Sequence, residues 1–266
     1  NSNATIGFFQ QPHIYSKSLL QGGPRVYLPD QYGAWWAFDT DQRKTFSLRQ
    51  SGWFKTGNKD AYFLLETGLQ ATYQPLNQLR FYIYPKYLMI RHRIQFNENI
   101  SYNGTPYYIM SRLDQDRFSL IVRVNYTINP NLSIQYYAEP YISTGIYNDF
   151  GHIANPLAKS QDEQISFYTG SQLTYNEVSN NYEVDLNKNG TTNYEFGNPD
   201  FSFAQFRSNL VIRYEYKPGS EIFVVWSQGI TDHGVPTGGL YHNFDSQILS
   251  KQPEFTFLIK ATYRLF

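Results

Sequence analysis

The feature that most constrains this chain is a regular two-residue alternation of apolar and polar side chains near its C-terminus. Over residues 255–266 the odd positions from Phe255 to Leu265 are all apolar, whereas Lys260 and Arg264 lie at even positions. Successive side chains of a β-strand point to opposite faces of the sheet. The segment therefore predicts a strand with one apolar face and one polar face.

The same alternation recurs along the rest of the chain. Residues 117–128, 132–142 and 206–217 place apolar side chains at even positions, and residues 61–74 and 79–89 place them at odd positions. No comparable stretch shows the 3.6-residue period of a helix. These segments run to roughly twelve residues, whereas strands of globular proteins have about 5–6 and a tilted strand needs about 9–11 to cross a bilayer.

Length and alternation together predict an all-β fold, an antiparallel transmembrane β-barrel with about ten strands in this chain. We place its first two strands near residues 5–10 and 33–40, and we treat residues 1–266 as one barrel domain or segment. The aromatic C-terminal residue Phe266 supports this interpretation, because outer-membrane barrels commonly end in this way. The alternative is a soluble antiparallel sheet with one solvated face.

Composition narrows the choice of partners. The chain has 22 basic and 22 acidic residues, which argues against a nucleic-acid-binding protein. Its 24 Tyr and 20 Phe fit the aromatic girdles of membrane barrels, although β-propensity alone also favours these residues. No apolar run approaches the roughly eighteen residues of a transmembrane helix. Because the first residue is Asn and no signal peptide follows, we expect a processed or partial polypeptide.

The predicted connections between strands fall into two classes. Short connections marked by Pro or Gly are predicted at residues 74–78, 129–131 and 217–220. Long connections are predicted at residues 97–105, 143–205 and 232–254. Outer-membrane barrels pair short periplasmic turns with long extracellular loops, so residues 143–205 are expected to form a long extracellular loop. This topology requires residues 107–128 to form one long strand, with a bulge near Asp114-Gln115-Asp116.

Several longer motifs resemble one family. They are Arg112-Leu113-Asp114-Gln115-Asp116, Ala138-Glu139-Pro140-Tyr141-Ile142-Ser143-Thr144-Gly145, Asn198-Pro199-Asp200-Phe201-Ser202-Phe203 and Tyr214-Glu215-Tyr216-Lys217-Pro218-Gly219-Ser220. The chain, from about Leu19 onward, is similar to an uncharacterised outer-membrane family (domain of unknown function 5916). Members of that family carry a carbohydrate-binding family-nine-like domain before a C-terminal β-barrel. The resemblance implies that this chain is the barrel part, either a whole barrel or a segment of a larger one, and it implies no activity.

The predicted interior face carries charges of both signs together with tyrosines, which argues against a filter of a single sign. Tyrosine rings can stack on sugars, and Arg, Asn and Glu side chains can bond sugar hydroxyls. The alternative is that these charges pair across neighbouring strands and fill the barrel. The candidate binding residues are Tyr82, Tyr84, Arg123, Asn125, Tyr137, Glu139, Arg207, Arg213 and Glu215.

One predicted loop resembles a calcium-binding loop. Oxygen-bearing side chains alternate from its first residue, Gly190 follows at the sixth position, and a carboxylate comes further on. The carboxylate falls at the eleventh position instead of the twelfth, and no helices flank the loop. A plain solvated loop is the alternative. The candidate Ca²⁺ ligands are Asp185, Asn187, Asn189, Thr191 and Glu195.

No catalytic motif is present. The sequence contains neither G-x-S-x-G nor H-E-x-x-H, and its five histidines show no meaningful spacing to a serine. We therefore predict a non-enzymatic protein of the Gram-negative outer membrane that binds glycans or nutrients or lets them pass. The alternatives are a structural or accessory subunit of a larger outer-membrane complex and an outer-membrane hydrolase. Expected partners are the lipid bilayer with its lipopolysaccharide, a glycan, and other outer-membrane proteins or a missing N-terminal part of the same protein.

Overall fold

The computed structural model describes residues 2–58 and 61–265, so the predictions that rest on Asn1 and Phe266 lie outside the described residues. No helix in these two ranges combines the length and the apolar character needed to span a membrane. The strands of the largest sheet are β1 (Asn3–Gln11), β4 (Gln31–Asp39), β5 (Phe46–Gly57), β6 (Tyr62–Leu76), β7 (Leu79–Tyr102), β8 (Thr105–Asn129), β9 (Leu132–Ile153), β10 (Ile165–Phe167), β14 (Phe201–Lys217), β15 (Ser220–Gly234) and β16 (Glu254–Ala261).

The remaining elements are short. Two small sheets comprise β2 (Ile14–Ser16) with β3 (Val26–Leu28), and β11 (Leu173–Asn176) with β12 (Asn181–Val184) and β13 (Tyr194–Gly197). The helical elements are α1 (Gln161–Gln164), α2 (Leu240–Phe244) and a π-helical turn (Asp245–Leu249).

The large sheet confirms the all-β, antiparallel fold class. Its strand order is β1-β4-β5-β6-β7-β8-β9-β14-β15-β16, and β10 pairs with the far end of β9. Every neighbouring pair is antiparallel, and the path holds the ten strands that the alternation predicts. Within the described residues β1 pairs with β4 alone and β16 with β15 alone, so the described sheet is open at both edges.

Several strands extend well beyond their predicted bounds. The predicted long connection at residues 97–105 is wrong, because β7 and β8 continue to a two-residue turn at Asn103 and Gly104. Both turn residues have positive φ, 51° and 77°, which gives the type I′ geometry that Asn-Gly favours. The connection at 143–205 is also shorter than predicted, since β9 runs to Ile153 and β14 starts at Phe201. The residues between them form α1 and β10–β13 instead of one plain loop.

Two further predictions need correction at the strand level. Residues 107–128 do lie in one strand, β8, but pairing continues through Asp114-Gln115-Asp116. The register shifts lie opposite Ser111 and Arg112 instead, and the extra residues belong to the neighbouring strands β9 and β7. The predicted connection at 232–254 is shortened by β15, which runs to Gly234, and it contains α2 and the π-helical turn. The last strand ends at Ala261, earlier than the alternation predicts.

The register aligns apolar side chains into one row across eight strands, which we call the apolar row. Half-exposed members include Phe81 at 39%, Trp226 at 42% and Phe257 at 60%. Residues directly opposite one another in an antiparallel ladder share a face, so the row marks one continuous apolar face. The row comprises Phe46, Tyr73, Phe81, Val124, Tyr136, Leu210, Trp226 and Phe257.

The neighbouring row on the opposite face is polar or tyrosyl throughout, and we call it the polar row. It marks the polar face of the sheet, and the part of the sheet crossed by both rows is called the band. The polar row comprises Ser47, Thr72, Tyr82, Arg123, Tyr137, Asn209, Ser227 and Thr256.

Beyond the band, residues 92–102 of β7, 105–114 of β8 and 145–153 of β9 form what we call the extension. The consecutive residues Ile109 and Met110 of β8 are both fully buried, and their side chains point to opposite faces. Met110 packs with Leu20 and Val26 from the N-terminal segment, whereas Ile109 packs with Phe196 from the small sheet β11–β13. The extension therefore has a hydrophobic core on each face.

One short segment covers part of the apolar face at the edge of the band. Ile248 of the π-helical turn packs on Ile142 of β9 and Ala204 of β14. The ring of Phe244 meets that of Phe118 edge to face at 5.9 Å. The segment buries apolar side chains of β8, β9 and β14, whereas apolar side chains elsewhere on this face of the band stay exposed.

Candidate functional site

The predicted binding residues lie on the polar face, and four of them meet at its centre. Tyr82, Arg123 and Tyr137 are directly opposite one another in the polar row, on β7, β8 and β9. Glu139 lies two residues beyond Tyr137 on the same strand, so its side chain shares that face. The sequence alternation places these residues on one face, and the register makes them neighbours.

Aromatic and charged groups interlock in this central group. The Arg123 guanidinium carbon lies 5.3 Å from the ring centroid of Tyr137 and 5.9 Å from that of Tyr82, within range for cation–π attraction. The Tyr137 hydroxyl donates a short hydrogen bond to a carboxylate oxygen of Glu139. The Tyr82 hydroxyl donates to Gln70 at 3.4 Å. These contacts fix two tyrosine rings at the surface of the polar face.

A second group on this face adjoins the first and includes residues that the sequence reasoning did not single out. A cavity of about 120 Å³ is lined by Glu66, Lys86 and Glu139, together with Arg117 and Tyr141. The Arg117 guanidinium carbon lies 5.8 Å from the Tyr141 ring, and its Nε is buried without a hydrogen-bond partner within the described residues. Arg117 and Tyr141 are odd-numbered residues of β8 and β9, and the sequence alternation places the odd-numbered residues of both strands on the polar face. The alternation could therefore have identified both as candidate binding residues.

Of the other predicted binding residues, three lie near the centre. Tyr84 lies beside Lys86, whose Nζ is 5.5 Å from the Tyr84 ring. Asn125 belongs to the next row of β8, opposite Gln135. Arg207 is opposite Glu139 in register, but its Nη2 donates instead to Thr231, at 3.5 Å.

Arg213 and Glu215 lie apart from this group. They sit at the end of β14 next to the short turn into β15, where Arg213 pairs with Glu221 and, at 3.2 Å, with Glu215. Glu215 also accepts a hydrogen bond from the backbone N–H of Gly219 at 2.9 Å. This ion-pair cluster closes the turn, so these two residues have partners within the protein.

The predicted calcium loop is organised by its own backbone. The Asp185 carboxylate accepts hydrogen bonds from the backbone N–H of Asn187 at 3.1 Å and of Gly190 at 2.6 Å. Desolvation raises the pKa of Asp185, but the backbone N–H donors outweigh it and hold this pKa below its ordinary value. Glu195 lies in β13 and accepts a hydrogen bond from Asn181 at 3.1 Å.

The other two predicted calcium ligands also belong to this loop. The Asn189 side chain accepts a hydrogen bond from the backbone N–H of Thr191 at 2.9 Å. Across residues 2–58 and 61–265, no three His, Asp or Glu side chains converge in a way that could hold a metal ion. The calcium site stays a prediction.

The histidines are dispersed, and two of them are packed among aromatic rings. The His152 ring stacks on that of Tyr168 at 5.7 Å, and burial lowers its pKa. The ring of His92 meets that of Tyr62 at 5.0 Å. Both histidines therefore pack against tyrosine rings as structural side chains do.

The geometry of the polar face suits the binding of polar solutes. Its central group offers guanidinium donors, carboxylate acceptors and fixed aromatic rings over three adjacent strands. No protein-family model matches the chain, and no curated protein matches it.

Proposed function

We propose that this chain forms a wall of an outer-membrane β-barrel whose polar face binds glycans or comparable polar solutes, or lets them pass, without catalysis. The observation that carries the proposal is the pair of rows, one apolar and one polar, on opposite faces of eight consecutive strands. Membrane barrels alternate in this way, with an apolar exterior and a polar interior.

The exposure of the apolar row supports a lipid contact. Soluble monomers rarely expose contiguous apolar patches larger than a few hundred Å². Here half-exposed apolar side chains extend from Phe46, at 52%, to Phe257, at 60%. A bilayer would cover such a face along its whole width. The resemblance to the outer-membrane family agrees with this interpretation.

The central group of the polar face supports the glycan part of the proposal. A sugar ring can stack on the faces of Tyr82 or Tyr137, while its hydroxyls bond to Arg123 and Glu139. A small number of convergent polar groups on a preformed surface is enough for such a site.

The four tryptophans provide a direct test of the membrane orientation. Trp36 and Trp226 lie on the apolar face, whereas Trp35 and Trp53 are opposite each other on the polar face. Two variants of the full chain, each keeping a single tryptophan, Trp226 or Trp53, would be reconstituted into phosphatidylcholine vesicles with brominated acyl chains. We expect strong quenching of Trp226 fluorescence and little quenching of Trp53. Equal quenching of the two would contradict the proposal.

The binding role has its own matched pair of variants. Tyr137→Ala removes a ring of the central group, and Tyr136→Ala removes the neighbouring ring of the apolar row. With a linear neutral oligosaccharide as the probe, we expect Tyr137→Ala to weaken binding about tenfold and Tyr136→Ala to leave it unchanged. The expected loss corresponds to about 1.4 kcal/mol, a magnitude typical of a lost aromatic contact with its hydrogen bond.

A second candidate function is a structural or accessory wall within a larger outer-membrane assembly. The observation in its favour is that β1 and β16 each pair on one side alone within the described residues. An open strand edge in lipid leaves backbone groups without partners, so closure would come from further strands. This candidate predicts quenching of Trp226 without any oligosaccharide binding.

A further inference from the structure

The three longest strands interrupt their pairing at the same level of the extension. In β7, Arg93 and Ile94 lie opposite Arg112 of β8, because pairing passes from His92 to Gln95. In β9, pairing passes from Asn148 to Gly151, which leaves Asp149 and Phe150 opposite one residue of β8. A β-bulge of this kind redirects side chains and is common beside functional sites.

The side chains of Arg93 and Asp149 at these bulges, together with Arg112 between them, line one cavity. Its volume is about 310 Å³, and we call it the bulge cavity. This volume is at the lower end of the range of about 300–1,000 Å³ for small-molecule sites. Its principal lining residues are Arg93, Arg112, Asp149, Gln161, Asp162 and Phe167.

The charges around the bulge cavity do not neutralise one another. Arg112 pairs with Asp114 at 2.9 Å, whereas the described residues show no ion pair for Arg93, Asp149 or Asp162. Separate positive and negative groups therefore face a common space. A ligand that carries both a negative and a positive group would pair with these charges and so bind favourably.

Two uncharged groups complete the cavity. The Nε2 of Gln161 is inaccessible to solvent and has no hydrogen-bond partner within the described residues. An unsatisfied buried donor is costly, and a ligand oxygen would satisfy it once the Gln161 side chain rotates toward the bulge cavity. Phe167 offers an aromatic side chain that is 38% exposed.

We propose that the bulge cavity binds a small zwitterion, an amino acid or a dipeptide. Arg93 and Arg112 would bind its carboxylate, a pairing that planar guanidinium groups make well. Asp149 and Asp162 would bind its ammonium group, and Gln161 would donate to a carboxylate or peptide oxygen. An apolar side chain of the ligand would pack on Phe167. This site lies in the extension and does not depend on what the polar face of the band binds.

The test uses the full chain in detergent micelles and the dipeptide alanyl-phenylalanine, measured by calorimetry. We expect saturable binding, and we expect the N-acetylated amide of the same dipeptide, which lacks both charges, to bind at least tenfold more weakly. Arg93→Gln should weaken binding of the free dipeptide about tenfold. Absence of binding by the free dipeptide at millimolar concentration would overturn the proposal.

A matched pair of exposed acidic residues keeps the test independent of folding. Asp162 lines the bulge cavity and its neighbour Glu163 does not, although both lie in the first turn of α1. Asp162→Asn should weaken binding at least fivefold, and Glu163→Gln should leave it unchanged. Equal effects of the two variants, or equally tight binding of a neutral disaccharide in place of the dipeptide, would also refute the zwitterion assignment.

Discussion

The extension continues three of the eight strands that cross the band, yet the two regions meet their surroundings in opposite ways. In the band, the apolar face is half-exposed from Phe46 to Phe257. In the extension, Ile109 and Met110 are fully buried against segments folded over each face. The chain supplies its own cover for the extension and leaves most of the band's apolar face open. Under the proposed function, lipid is the cover that the band's apolar face lacks within the described residues.

The largest expected effect concerns the core of the extension. Phe150 is 4% exposed, and its ring lies 4.6 Å from that of Tyr182 and 5.1 Å from that of Phe196. Phe150→Ala should lower the free energy of unfolding by about 3–5 kcal/mol, because it leaves a cavity in a packed cluster. Urea denaturation in micelles would measure the change. The control Val178→Ala alters a side chain that is 99% exposed and should stay within about 0.5 kcal/mol.

Two isoleucines of similar exposure test the comparison itself. Ile83, in the band, is 44% exposed, and Ile146, in the extension, is 41% exposed. Ile83→Arg should destabilise the protein in vesicles by about 2–4 kcal/mol, the cost of a cation on a lipid-facing strand. Residue 146 lies opposite Asp114, so the arginine of Ile146→Arg would face a carboxylate at the protein surface. This variant should change the free energy of unfolding by less than about 1 kcal/mol.

Solvent offers a further control for this pair. The two variants should differ in their free energy of unfolding when the protein is in vesicles, and differ little when residue 83 is exposed to water. The reason is that an arginine in contact with water keeps its hydration, whereas a lipid-facing arginine loses it. Equal stability of the two variants in vesicles would show that the band does not face lipid.

A smaller effect is expected from the hydrogen bonds that hold the cover on the extension. Gln164 of α1 is 1% exposed, and its Nε2 donates to the carbonyl oxygens of Tyr27 at 2.9 Å and Pro156 at 3.1 Å. Gln164→Leu should cost about 1–3 kcal/mol, because a buried acceptor loses its donor. Gln10→Leu, in exposed β1, is the control and should be neutral in the same unfolding measurement. A neutral Gln164→Leu would indicate that hydrophobic contacts alone hold the cover.

The smallest effect is local and depends on pH. Because the pKa of Asp185 is lowered in the folded loop, its stabilising hydrogen bonds are present above the ordinary value of 3.8 and are lost as pH falls through the lowered pKa. Hydrogen exchange at the Gly190 amide should therefore accelerate as pH falls from 3.8 through the lowered pKa, beyond its intrinsic pH dependence. The amide of Leu186, which bonds to Asn193, is the internal reference. Unchanged protection of Gly190 at low pH would contradict this account.

Sequence alternation could predict the band and could not predict the extension, and the reason is physical. Alternation arises where one face is apolar and the other polar, as along β8 from Arg117 onward. Ile109 and Met110 are both buried, so the period-two signal disappears there. The Asn103-Gly104 pair is nevertheless typical of a two-residue hairpin turn, so the sequence did contain evidence against the long connection predicted at residues 97–105.

The site was predictable in the same partial way. Alternation placed Tyr82, Arg123 and Tyr137 on one face, but the register that makes them neighbours depends on pairing between strands. The bulge cavity lay beyond reach, because it forms where Arg93 and Asp149 interrupt their ladders. The positions of these interruptions are set by the register between strands, which one strand's sequence does not show.

The connections of the sheet also set the order in which it would assemble. Two-residue turns join β7 to β8 and β8 to β9, whereas β9 and β14 pair across residues 154–200. The longer closure adds an entropic penalty of about 3 kcal/mol under the logarithmic dependence on loop length. Two-residue turns also join β6 to β7 and β14 to β15. We therefore expect the β6–β9 meander to form before β14 pairs with β9, as local contacts speed folding, and pulse-labelled hydrogen exchange would show the amides that bridge β7, β8 and β9 protected before those that bridge β9 and β14. The same weak dependence implies that residues 154–200 could change in length between related chains while the wall kept its register.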